Sequence, residues 1–97
     1  MTNVAQASQT VATEYNGWSN RETWLANLWL NNDEYSYDVL CKALRIDGEV
    51  IDQADWVEQH LRWQLDGEID RACLWQDLLR CAFERINWIE VIEKNTD

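Results

Sequence analysis

Apolar residues recur along this chain at intervals of three and four, the period of amphipathic helices, from Tyr15 to Ile92. In the first such segment Trp24, Leu25, Leu28 and Trp29 form one stripe. Ser19 and Glu22 precede it with the S-x-x-E spacing of a capping box, in which the hydroxyl accepts from a first-turn amide and the carboxylate reaches back to the cap. The stripe predicts a helix ending at Asn31-Asn32-Asp33, with Trp24 and Trp29 turned inward because an amphipathic helix must hide its apolar face. Asp33 is placed to cap a second helix, about 34–46, with Tyr37, Leu40, Cys41 and Leu44 inward. After a turn at Asp47-Gly48, a third helix, about 52–65, carries Trp56, Val57, His60, Leu61 and Leu65 and stops at Asp66-Gly67. A fourth, about 69–85, lines up Leu74, Leu78, Cys81, Ala82 and Arg85, with Trp75, Leu79 and Phe83 adjoining. So broad an apolar face predicts the central, most buried helix. Asn87 and Glu90 repeat a cap-like spacing around Trp88, Ile89 and Ile92, giving a short fifth helix, either separate or a bent continuation of the fourth.

No stretch alternates with period two, and proline is absent. Gly17, Gly48 and Gly67 all fall at element boundaries. Residues 1–14 are small and polar and read as a flexible tail. The expected fold is therefore all-α: a compact bundle of four to five short helices over 15–97, one domain, behind a tail at 1–14. At 97 residues and 46% hydrophobic, the chain can bury a single core with a small stability margin. No run approaches the ~20 apolar residues of a membrane span. The first residues lack the basic start and apolar centre of a secretory signal, so a soluble cytoplasmic protein is expected.

Trp18 precedes the capping box, where its only staple partner would be Thr23, and Trp63 falls off the apolar stripe of its helix. Of the seven tryptophans these two are expected to be the most exposed, and exposed tryptophan favours protein interfaces.

The segment Tyr15-Asn16-Gly17-Trp18-Ser19-Asn20-Arg21-Glu22-Thr23-Trp24, with Leu28-Trp29-Leu30-Asn31-Asn32-Asp33, resembles the signature Y-N-G-W-x-N-x-E-T-W then L-W-I/L-x-N-D of a small domain family of bacteriophages and mobile elements. Ile86-Asn87-Trp88-Ile89-Glu90 is similar to that family's closing V-N-W-x-E segment. The resemblance implies a small helical phage or mobile-element product and no particular reaction. Small acidic products of that origin often act by protein contact, among them inhibitors of restriction and CRISPR systems.

Charge narrows the partners. Eighteen acids against eight bases leave −10, which disfavours free nucleic acid and anionic membranes, because phosphate binding needs clustered Lys and Arg. The acids are also uneven. Asp47, Glu49, Asp52, Asp55, Glu58, Asp66, Glu68 and Asp70 face only Arg62, whereas from Arg71 to Lys94 four acids meet four bases. Asp52, Asp55 and Glu58 step by three along one helix, about 4.5 Å of rise per step, a ridge that a basic groove could take for phosphates. The competing reading is a solvated polar face that keeps a small protein soluble.

Chemistry is sparse. Cys41, Cys73 and Cys81 include no C-x-x-C pair, and His60 stands alone, so no zinc or cofactor site is expected. Carboxylate pairs such as Asp33 with Glu34 and Asp52 with Asp55 lie at helix starts, where capping explains them. No phosphate-binding glycine loop is present. The leading expectation is a non-catalytic inhibitor of phage or mobile-element origin in the host cytoplasm. Its partner-binding residues would be the eight acids from Asp47 to Asp70 with Trp18 and Trp63, set against a basic nucleic-acid-binding surface of a host defence protein. The alternative is an accessory phage protein that self-associates through apolar helix faces; a thiol enzyme using Cys41, Cys73 or Cys81 is the third.

Overall fold

The structure is a computed structural model that describes residues 17–96; the expected tail at 1–14 lies outside them. Among the described residues there are five α-helices and no strand: α1 Arg21–Asn32, α2 Glu34–Leu44, α3 Val50–Glu68, α4 Leu74–Glu84 and α5 Trp88–Asn95. The all-α expectation holds, and α4 and α5 are separate helices.

Local chemistry accounts for the helix ends. Asp33 caps α2 by accepting from the Ser36 amide at 3.0 Å, and Asn87 caps α5 by accepting from the Glu90 amide at 3.1 Å. At the other end of α2 the Gln53 amide group donates to the Leu44 and Ile46 carbonyls, which the helix leaves without partners. The cap of α1 is Asn20, not Ser19. Asn20 Oδ1 accepts from the Thr23 amide at 2.8 Å, and the Ser19 hydroxyl instead donates to Glu90 Oε1 at 2.6 Å. The third helix starts two residues early, on a capping box of Glu49 and Asp52, and Gly67 lies in its last turn rather than ending it.

The core is built from α1, α2, α3 and α5, with Leu30, Val39, Leu40, Ala43, Ala54, Val57, Val91 and Ile92 buried. The short α5, which packs on α1 and α3, is the central element. Val91 and Ile92 are fully excluded from water, each stabilising the fold by about 1.5–3 kcal/mol.

The fourth helix is not the most buried one. It begins at Leu74 rather than 69, is fixed inward by Phe83 and Gln76, and leaves Leu74, Trp75, Leu78 and Leu79 exposed. The Gln76 side chain donates to the Ile69 carbonyl at 2.9 Å, holding the non-helical stretch before α4 against it.

Two tryptophans exchange the places expected of them. Trp29 is 60% exposed and Leu25 and Leu28 beside it are also open, while Trp24 packs at the edge of the core. Trp18, expected at the surface, is 8% exposed. The cause is a polar inner face on α1. Thr23 is fully buried and its hydroxyl accepts from the Asn87 amide at 2.9 Å, and Asn27 Oδ1 accepts from Asn95 Nδ2 at 2.7 Å. These bonds turn the polar side of α1 onto α5 and the Trp/Leu stripe outward. Tyr37 likewise stands half exposed on α2, while Val39, Leu40 and Ala43 fill the inner face.

The two sequence segments that carried the family resemblance meet as one clasp. Besides Thr23 with Asn87, Asn20 Nδ2 donates to the Arg85 carbonyl at 2.7 Å and Glu22 pairs with Arg85 at 3.3 Å. Ser19 binds Glu90, and Lys94 reaches the Gly17 carbonyl at 3.0 Å while lying 4.4 Å over the Trp18 ring.

Candidate functional site

The acidic stretch follows α3 from end to end. Asp47 and Glu49 precede it, Asp52, Asp55, Glu58, Asp66 and Glu68 lie on it, and Asp70 follows. At 100° per residue Asp52, Asp55, Gln59, Trp63 and Asp66 share one side of the helix, and all five are exposed; Ala54 and Val57 are buried on the other. From Asp52 to Asp66 this outer side runs about 21 Å. Glu58 is turned to the flank, half buried.

The turn into α3 fixes its acidic start. Gly48 has φ +155°, and a Cβ there would come within 2.7 Å of Asp52 Oδ2, the oxygen that accepts from the Glu49 amide at 2.8 Å. Only glycine lets the chain turn while that carboxylate holds the cap.

Two of the eight acids are paired within the chain. Glu58 meets Arg62 at 3.0 Å and Asp66 meets Arg80 at 3.0 Å, with all four side chains at least a third exposed. Such pairs contribute about 0–1 kcal/mol each, so they trim the negative field without removing it. Glu49 and Asp52 cap α3 and have no partner cation among the described residues. The side chains of Asp47, Asp55, Glu68 and Asp70 make no hydrogen bond or ion pair among the described residues. Six carboxylates of the stretch thus lack a partner cation, concentrated at the two ends of α3 with Trp63 between.

Trp63 is 74% exposed and stands where it could bear on a partner. Trp18 does not: it is buried beneath Lys94 in the clasp and cannot serve as a contact residue. Beside the acids runs a row of rings that sequence reasoning missed. Trp56 stacks on His60 at 5.1 Å, Trp63 lies 6.4 Å beyond, and the Tyr35 hydroxyl of α2 is 3.4 Å from His60 Nε2. The spacing of Trp56, His60 and Trp63, four and then three residues, is the signal that would have found it.

Cys81 is exposed and Cys41 and Cys73 half buried, all as free thiols, with Cys73 at the N-cap of α4. The Tyr37 hydroxyl is pushed above its ordinary pKa, chiefly by its hydrogen bond with Cys41. Among the described residues no three His, Cys, Asp or Glu side chains gather as metal ligands. No helix there is long and apolar enough to cross a membrane.

The profile of a family of unknown function (DUF7249) matches residues 11–96, both halves of the clasp and the whole acidic stretch included. The chain belongs to that family. No curated protein and no solved structure matches the chain.

Proposed function

We propose that this chain is a non-catalytic inhibitor of phage or mobile-element origin. It binds a host protein that handles nucleic acid in defence, of the CRISPR or restriction kind, and occupies its basic groove with the outer side of α3. The observation that carries the reading is the set of six carboxylates without partner cations around the exposed Trp63. A basic groove would be drawn to the two acidic ends of α3 at long range, and Trp63 would supply the apolar anchor between them. Phage origin rests on the resemblance of the two clasp segments, and the host cytoplasm follows from it. Direct contact with nucleic acid is disfavoured by the same charge.

The test is capture of host nucleic-acid-binding proteins from lysate at low salt, followed by competition with duplex DNA. The expected partner is displaced by the DNA and by raised salt. Reversal at Asp47, Asp55 and Glu68 to lysine weakens its capture by at least about tenfold, and Trp63→Ala weakens it too. A partner held equally by the charge-reversed protein sinks the proposal, as does one that DNA cannot displace.

A further inference from the structure

The face of α4 that points to solvent is a large apolar feature that the acidic surface leaves unexplained. Leu74 and Trp75 are each 64% exposed, Leu78 51% and Leu79 43%, on a helix of only eleven residues. On an 11-residue helix whose buried side chains are Phe83 and Gln76, such a face gives no stability to the monomer. We infer that it is a self-association surface and that its occupant is a second copy of this chain.

Three observations select a second copy. The first is area. These four residues expose roughly 400–500 Å², within the range of the largest patch on a typical monomer, and joining two copies removes at most about 1,000 Å² from water, the lower bound of a specific interface. The second is charge. A chain at −10 repels itself most strongly at its acids, and α4 carries only Asp77 and Glu84 against Arg80, so two copies can meet there with little repulsion. A basic partner would be drawn to α3 instead and gains nothing at α4. The third is complementarity along the helix. With two α4 helices antiparallel about an axis between Leu78 and Leu79, each Trp75 lies opposite the small Ala82 of the other copy, a bulky side chain against a gap. The pairing is isologous and closes at two copies. It leaves α3 outside the joint, so it is independent of the acidic surface.

Area does not fix affinity, but an interface at this lower bound is expected to be weak, with a dissociation constant on the order of micromolar as the range to test. Sedimentation of the full chain across that range should show the mass double, at low and high salt alike. Trp75→Ala with Leu78→Asp should weaken association by about a hundredfold, with helix content by circular dichroism unchanged because both positions are exposed. Lysines at Asp47, Asp55 and Glu68 should leave the dimer intact. A dimer that survives Trp75→Ala with Leu78→Asp, or that the lysine variant abolishes, overturns the inference. So does a wild-type monomer up to about a hundredfold above that range. In that case thermal stability names the occupant: a Trp75→Ala protein that melts earlier assigns the face to another part of this chain, and one that melts unchanged assigns it to a different protein.

Discussion

Thr23 is the residue on which the two ends of the fold depend. It is fully buried, its hydroxyl donates to Asn20 Oδ1 at 2.7 Å, and it accepts from the Asn87 amide. Thr23→Val keeps the shape and leaves that amide without an acceptor, which should cost about 1–3 kcal/mol in urea unfolding. Trp29→Ala, despite removing an indole, should stay within about 0.5 kcal/mol, since its site is open to water. Glu90 gives a pH test. Burial raises its pKa, but hydrogen bonds from the Ser19 hydroxyl and amide and from Lys94 outweigh this and hold it below the usual carboxylate range. The charged form is therefore favoured by folding. Its stabilisation is complete above the unfolded pKa of about 4.3 and is lost as pH falls through the lower folded value. Glu90→Gln should destabilise the protein by about 1 kcal/mol at neutral pH, and the gap between the two proteins should close in strong acid. None of this was legible in the sequence. Periodicity registers apolar residues, and the buried side of α1 is held by Thr23 and Asn27, whose partners lie 64 and 68 residues away.

At the scale of elements the sequence was more informative. Asp33 and Asn87 announced α2 and α5 because a cap is a local interaction, complete within four residues. The burial of α4 was misread for the opposite reason: an amphipathic pattern states that a helix has an apolar face and not that the face is covered by the same chain. With few buried contacts, α4 should open before the rest. In dilute protein its amides should exchange hydrogen at least about tenfold faster than those of α5, measured residue by residue by NMR. Equal protection would mean that α4 unfolds only with the core.

For the whole molecule, charge is the quantity that sequence alone supplied in full, and the structure adds its arrangement. Among the described residues the ion pairs are few and, apart from Lys94 with the mostly buried Glu90, largely exposed, while six carboxylates crowd around α3. Repulsion among them should exceed what those pairs return. Raising salt from about 10 mM to 0.5 M, which shortens the screening length from about 30 Å to a few Å, should then raise the melting temperature by several degrees. A falling melting temperature would show that the pairs outweigh the repulsion. The candidate site was legible as a stretch of acids with an exposed Trp63; its division into two ends around that ring, and the loss of Trp18 to the clasp, depend on how α3 and α5 lie against the other helices.

The clasp also sets an order of events during synthesis. Asn20 and Thr23 leave the ribosome long before Arg85, Asn87 and Glu90 have been translated, so the first helix must wait, half stabilised, until the last emerges from the exit tunnel. Until residues 85–90 emerge, the first helix stays open to proteases and holding chaperones.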